Sequence, residues 1–366
     1  MLRTMTGRLF LGAITILLSS ANGQAMEKVS LGLEGSFTQY FGYVDNNDFG
    51  TGDFTGFDIK ADSEVAFTGD TTLENGLQFG VEVILKAESA GADQIDGTYM
   101  WNEGGYGRIE IGQTDNAAAT MHYSAPDVGL GINDSDIADW VTNPGGGDAD
   151  SGFQSTYLFL GEDKATKLTW FSPRMAGLQL GMSYIPEFER DDNSQPDGDA
   201  AYRDGVSVGL NYVHEFSEGT ELAIAGGFLT ADNPNTVTRD ASAEGYSLGF
   251  NLTLSGFTIG GSYASTEGNP SGGTDTAISL DGSGFDIGIA YAFDATSVSV
   301  SYYQGEVEGT VAIADDSNNE SVMASVAHEM GPGITAIASL FHTRFEAETG
   351  TKNEGTALVG GIVLEF

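Results

Sequence analysis

Residues 243–267 read AEGYSLGFNLTLSGFTIGGSYASTE, and this stretch decides the fold class. Apolar and polar residues alternate with a period of two up to the dipeptide Ser255-Gly256. A second predicted strand follows this dipeptide, as expected of two strands joined by a tight turn. One face of the first strand is apolar throughout, with Tyr246, Leu248, Phe250, Leu252 and Leu254. The stretch therefore predicts a β-hairpin with one apolar face and one polar face.

The same alternation continues in both directions along the chain and predicts sixteen strands. They are expected near 28–44, 57–67, 77–88, 94–103, 106–113, 165–172, 176–186, 203–216, 219–230, 243–255, 256–267, 281–293, 296–307, 319–329, 333–345 and 356–366. Short turns alternate with longer acidic connections such as 346–355, and an even strand number with this asymmetry is typical of transmembrane barrels. The predicted fold is all-β, a transmembrane 16-stranded antiparallel β-barrel; the segment 333–345 fits either register.

Two features favour this barrel over a soluble, secreted β-protein. The strands are long for a soluble sheet, and the polar face carries almost no apolar residues, as expected where a wide barrel encloses water. A membrane-barrel enzyme such as a lipase is the other alternative, with Ser207 and His214 as its candidate pair. These residues are seven positions apart on one strand, roughly 23 Å, which argues against them.

Composition excludes several further classes of function. The chain has 14 Lys and Arg against 53 Asp and Glu, which argues against nucleic acid as a partner because phosphates need a basic surface. There is no cysteine, so disulfides and thiol catalysis are excluded. We predict no catalytic residue, no metal site and no organic cofactor. The acidic loop that begins at Asp45 is expected at most to bind calcium weakly.

The N-terminus has the pattern of a signal peptide. Arg3 and Arg8 accompany an apolar core, Leu9–Leu18, and Gly23-Gln24-Ala25 supplies the small residues that a signal peptidase reads. The apolar core is too short to act as a membrane-spanning anchor. The sequence therefore predicts a signal peptide at residues 1–25 and a barrel at residues 26–366.

The segment 114–163 is the longest interruption of the alternation. Loops of this length are uncommon in compact domains and are usually functional. We predict that the segment folds into the bore and narrows it, and that its acids face inward-pointing bases of the early strands. The predicted constriction residues are the acids Asp115, Asp127, Asp134, Asp136 and Asp139 and the bases Lys60, Lys86, Arg108 and Lys167. Opposed charges of this kind would create a transverse field that filters ions.

Three short motifs carry a family resemblance. The opening KVSLGLEGSF at 28–37, the segment Gly107–Gly112 and the terminal strand Ala357–Phe366, which ends on an aromatic residue, together resemble the general Gram-negative porins, most closely the alphaproteobacterial branch. The resemblance implies an outer-membrane homotrimer with the third external loop, here 114–163, folded inward. It also implies contacts with lipid and lipopolysaccharide, and passive diffusion of small hydrophilic solutes and ions. The acidic composition predicts a preference for cations.

Overall fold

Sixteen antiparallel strands close into one barrel. The structure, a computed structural model, describes residues 28–47, 53–87, 94–133, 136–144, 153–159, 164–188, 195, 202–232, 242–268, 281–308 and 316–366. The strands are β1 Ser30–Asn46, β2 Gly56–Thr72, β3 Gln78–Lys86, β4 Ile95–Gly104, β5 Gly107–Gln113, β6 Thr166–Phe171, β7 Leu178–Glu187, β8 Arg203–Ser217, β9 Thr220–Asp232, β10 Ser242–Leu254, β11 Phe257–Glu267, β12 Gly282–Phe293, β13 Thr296–Val307, β14 Ser317–Gly331, β15 Ile334–Glu346 and β16 Lys352–Glu365. Each strand pairs with its neighbours in sequence, and β1 pairs with β16. The predicted barrel is confirmed.

Helical structure is confined to the segment between β5 and β6 in the described ranges. The short helix α1 covers Ala117–Thr120, and a 3-10 turn covers Asp136–Asp139. No helix in these ranges has both the length and the apolar character needed to cross a membrane.

The hairpin of β10 and β11 shows why these residues form strands. Ser255 and Gly256 have φ angles of 49° and 90°, so both occupy the left-handed region that a two-residue hairpin turn requires. Outward Leu248 is exposed while its inward neighbours Ser247 and Gly249 are covered, because successive strand residues point to opposite faces. The hydrophobic row predicted from the sequence is therefore the outer surface of the barrel.

Contacts between the chain ends close the barrel. Gly35 N donates to Phe366 O at 3.0 Å, and Phe366 N donates to Gly35 O at 3.1 Å. The Phe366 ring stacks on Phe37 with ring centroids 6.2 Å apart. The terminal aromatic residue thus fixes the register of β16 against β1.

The last two strands differ from their predicted bounds. Strand β16 begins at Lys352, so the connection predicted at 346–355 as long and acidic consists of residues 347–351 only. The register of β15, which the sequence left open, places Phe341 and Phe345 inside the barrel and Leu340 outside. Paired neighbours on β14 and β16 fix this choice, since a slip of one residue would exchange the faces.

The expectation of an inner face almost without apolar residues was wrong. Several buried apolar side chains point inward from β1 and β13–β16: Tyr40, Val44, Tyr303, Met323, Ile337, Phe341, Phe345 and Val359. They form one cluster with Val128, Leu130, Ile132, Ile137, Trp140 and Val141 of the segment between β5 and β6. The main hydrophobic core therefore lies inside the barrel. The predicted signal peptide, residues 1–25, lies outside the described residues.

Candidate functional site

The described part of the segment between β5 and β6 lies against the inner wall of the barrel. We call residues 114–133, 136–144 and 153–159 the belt. Its backbone amides donate to inward side chains of successive strands: Ala117 N to Ser183 Oγ (2.9 Å), Ala118 N to Ser207 Oγ (3.0 Å), Ala125 N to Asp286 Oδ1 (2.7 Å), Val128 N to Ser299 Oγ (3.1 Å) and Leu130 N to Ser339 Oγ (3.0 Å). The belt therefore follows the circumference from β7 to β15.

The far end of this path reaches β1 and β2. The Trp140 side chain is buried and packs over Gly42 of β1, where a Cβ atom would overlap its ring. The Lys60 ammonium of β2 lies 5.3 Å from the centre of the Trp140 ring. A buried indole with a cation on its face is a stabilising contact, so Trp140 anchors this end of the belt.

A return leg runs back along the wall. Phe153 O accepts a hydrogen bond of 2.7 Å from the Tyr303 hydroxyl of β13, and Thr156 Oγ1 lies 2.6 Å from Ser262 Oγ of β11. Asn116 joins the two legs: its Nδ2 donates to Leu158 O at 2.8 Å, while its Oδ1 accepts from Ala118 N and Ala119 N of α1. The belt thus consists of two legs that are bonded to each other and to the wall.

Small wall residues make room for the belt backbone. Gly249 of β10 faces the Tyr123 carbonyl, and Gly209 of β8 faces the Ala117 carbonyl so closely that a Cβ atom at either glycine would overlap the belt. The many inward glycines and serines of the middle strands therefore have a packing role.

Replacing Gly249 by alanine is expected to destabilise the belt, because the new methyl group must displace the Tyr123 carbonyl. Overpacking of this kind costs about 1–3 kcal/mol, which should appear as a lower thermal midpoint of unfolding in detergent. Gly226→Ala on the outer face of β9 is the matched control, since its nearest atom, Leu248 Cδ2, would be 3.6 Å away. Equal midpoints for the two variants would contradict the close approach.

Buried polar groups of the belt and of the wall are joined in one hydrogen-bond network. The Asp286 carboxylate of β12 accepts from Ala125 N and from Ser262 Oγ at 2.6 Å, and Thr156 Oγ1 donates to it at 3.3 Å. His122 Nε2 lies 3.1 Å from the same threonine hydroxyl. Burial lowers the pKa of the His122 imidazole to about 4, so this ring is neutral at pH 7. The network holds both legs to the wall, and His122 takes part in it as an uncharged ring.

Two predicted constriction residues lie in the contact between belt and wall. Asp127 is 5% exposed and accepts hydrogen bonds from Ser301 Oγ at 3.1 Å and Gly129 N at 2.8 Å. Lys167 is 2% exposed, and its ammonium donates to the carbonyls of Thr114 and Ala165. The structure corrects the prediction for both: they secure the belt and do not present a charge to the open bore.

Of the predicted acids and bases, Asp139 of the belt and Lys60 of the wall are close enough for an electrostatic interaction. Asp139, in the 3-10 turn next to Trp140, is exposed, and Asp136 is half-buried. Although the residue is exposed, desolvation of its carboxyl by the surrounding belt and wall raises the pKa of Asp139 above its usual 3.8, and the nearby Lys60 ammonium opposes that rise. Lys60 also lies 2.8 Å from Asp58 on its own strand. Asp134 lies outside the described residues.

The other predicted bases have acidic partners nearby. Lys86 Nζ lies 3.3 Å from Asp96 Oδ1, and Arg108 Nε lies 2.7 Å from Glu110 Oε1. Asp115 is paired with Lys164 at 2.6 Å, a base that the sequence did not single out. The charges of these bases are therefore offset locally, and they do not form a basic wall opposite an acidic loop.

The early strands carry acids that the sequence reasoning missed as pore residues. Glu34, Asp58, Asp62, Glu64, Asp70 and Glu82 share the inward parity of Lys60 and Lys86, and all remain at least partly exposed. Inward side chains of β6–β16 are mostly buried because the belt covers them. The period-two alternation could have found these acids. The open, charged part of the inner wall is thus the sector of β1–β5, where acids outnumber bases.

Ser207 and His214 of the alternative enzyme hypothesis face opposite sides of β8. Ser207 is fully buried inside the barrel, where its hydroxyl donates to Asn116 Oδ1 at 2.6 Å. On the outer surface the His214 ring stacks on Tyr212 and meets the Phe216 ring edge to face. Because the two side chains are separated by the sheet, they cannot form a nucleophile–base pair.

Comparisons with known proteins agree with this architecture. A family model described as Gram-negative porin matches residues 12–348. No curated protein matches the chain. Among solved structures it is similar to the loop L8 deletion mutant of OmpT, an outer membrane protein of Vibrio cholerae (13% identity, 93% of this chain, 100% of that chain, TM-score 0.63).

Two further structures have a similar fold. The outer membrane channel DcaP of Acinetobacter baumannii is 12% identical over 95% of this chain and 100% of that chain, with a TM-score of 0.63. OmpF of Salmonella typhi in complex with daunomycin is 17% identical over 92% of this chain and 98% of that chain, with a TM-score of 0.61. At these identities the likeness shows the fold alone.

Proposed function

This chain belongs to the Gram-negative porin family, and we propose that it is a passive outer-membrane channel that prefers cations. Small hydrophilic solutes and ions would diffuse through the water-filled space between the belt and the inner sector of β1–β5. The belt sets the width of this space by adding a second layer to most of the wall. No step of the transport requires catalysis or an organic cofactor.

The acid surplus of the inner β1–β5 sector carries this proposal. In this part of the chain the described bases lie within 4 Å of acids, while Glu34, Asp62, Asp70 and Glu82 add further negative charge to the same wall. At 0.1 M salt exposed charges act over about 10 Å, so these acids act on ions that pass along the same wall. The negative wall therefore raises the local concentration of cations and lowers that of anions.

The purified channel in a planar bilayer under a potassium chloride gradient provides the test. We expect a reversal potential whose sign reports potassium more permeant than chloride, and a smaller reversal potential at high salt because the wall charges are screened. A reversal potential of the opposite sign would contradict the cation preference while leaving the channel function intact.

Assembly and targeting complete the proposal. OmpT of Vibrio cholerae has been solved in a trimer form, which supports a homotrimer for this chain, in contact with lipid and lipopolysaccharide. Residues 1–25 are proposed to be a cleaved signal peptide. Weak calcium binding by the loop at Asp45 and membership of the alphaproteobacterial branch stay predictions.

A further inference from the structure

A cavity of about 250 Å³ opens on the inner wall at the short-turn rim. It is lined by side chains of five adjacent strands, among them Glu34, Thr68, Asp70, Glu82, Trp101 and Arg108. Arg108 lies one residue after the start of β5, and Asp70 lies two residues before the end of β2. Both positions adjoin short turns, so the cavity lies toward the rim opposite the long connections.

Glycines in and beside the cavity leave room for its larger side chains. Gly80 of β3 pairs with Trp101 of β4, and a Cβ atom at Gly80 would overlap the indole. The Trp101 ring therefore rests directly on the wall. Gly32 of β1 likewise leaves room beside Thr68. Without these glycines the space would be filled by side chains.

Opposite charges line the two sides of the cavity. On one side are the carboxylates of Glu34 and Glu82, the second of which accepts a hydrogen bond from the Tyr99 hydroxyl. On the other side the Arg108 guanidinium lies 4.3 Å from the centre of the Trp101 ring, while its Nε donates to Glu110 and its Nη1 lies 3.8 Å from Glu103 Oε2. A guanidinium has five N–H donors in a fixed plane, so Arg108 still presents the donors of its Nη2.

We infer that this cavity is a binding site for small zwitterions, of which α-amino acids are the simplest. The ammonium group would bind the carboxylates of Glu34 and Glu82, and the carboxylate would bind Arg108. The Arg108 guanidinium lies on the Trp101 ring, and that ring rests over Gly80, two residues and about 7 Å from Glu82 along β3. A separation of this order suits a solute whose ammonium and carboxylate groups lie only a few ångströms apart, as in an α-amino acid. A volume below the roughly 300–1,000 Å³ of drug-sized sites also fits a small solute.

The inference deepens the proposed function, since it rests on solutes passing along the β1–β5 sector. Within that sector the site would concentrate zwitterions and make their flux saturable, because a solute that binds on its path occupies the path. A binding measurement tests the site without relying on ion selectivity.

Titration of the full-length channel in detergent with alanine, followed by tryptophan fluorescence, tests this site. Binding of the solute carboxylate should draw the Arg108 guanidinium away from the Trp101 ring and so change the fluorescence of Trp101. This change should saturate as the alanine concentration rises. Ethylamine and propionate each keep one of the two charges of alanine. Each should need at least about a 10-fold higher concentration than alanine to produce half of the maximal fluorescence change. Ethylamine acting as well as alanine would overturn the zwitterion assignment.

Matched substitutions make the test specific. Arg108→Gln and Glu82→Gln should each raise the half-saturating alanine concentration about 10-fold or more. Arg174→Gln and Glu221→Gln remove the same charges from positions near the same rim, outside the cavity lining, and should leave the titration unchanged. Channel currents in potassium chloride verify that each variant is folded. Unchanged titration in Arg108→Gln would refute the site, whereas the sign of the reversal potential tests the cation preference separately.

Discussion

A chain lacking residues 125–147 is expected to carry several-fold more current per channel than the intact protein. The deletion removes the part of the belt that passes from β12 round to β2, including the buried anchor Trp140. The remaining residues 148–152 can reach about 17 Å, roughly the three strand spacings between Ser124 near β10 and Phe153 near β13. Single-channel conductance in potassium chloride measures the effect. An unchanged conductance would show that the deleted residues do not narrow the bore.

Loss of the belt also exposes the inner apolar wall to water. Phe341 and Phe345 are 1% exposed beneath the belt, and uncovering one large apolar side chain costs about 1.5–3 kcal/mol. The deletion variant is therefore expected to unfold at a lower temperature. Adding Phe341→Ser and Phe345→Ser, which match the serines at other inward positions, should restore part of the lost stability. A high single-channel conductance in this rescued variant would show that the larger current comes from removal of the belt and not from unfolding of the barrel.

The double substitution Asp62→Asn and Asp70→Asn is expected to abolish most of the preference for potassium over chloride. Both residues lie on the inner face of β2 and keep some exposure, so their charges act on ions in the bore. Their removal leaves Lys60 and Lys86 on the same wall with fewer acids nearby, and the reversal potential should move toward zero or change sign. The measurement is the reversal potential in a potassium chloride gradient.

Asp127→Asn serves as the control for that substitution. It removes one negative charge from the belt, but the residue is buried against Ser299 and Ser301 of β13. We expect the ion preference to stay close to that of the unaltered channel, with a loss of stability because buried hydrogen bonds to a charged group are weakened. If Asp127→Asn changed the ion selectivity strongly and the double variant of β2 did not, the residues that select ions would lie on the belt.

The candidate site shows where residue patterns stop being informative. Alternation along β2 predicted that Lys60 points inward, and the cation–π contact with Trp140 agrees. Alternation could not show that Asp127 is covered by β13 or that Lys167 is covered by Thr114, because coverage depends on residues remote in sequence. Trp140 was missed for the same reason. Its role depends on Gly42, 98 positions earlier in the chain.

The sequence by itself determined the sixteen strands, their outward apolar face and the place of the long segment between β5 and β6, since each follows from a local period of two and from turn residues. Only the tertiary structure decided the path of the belt, the apolar interior of β13–β16 and the concentration of open charge on β1–β5. The physical reason is that a side chain's face is set by its own strand. Its exposure and its partners are set by whatever packs across the bore.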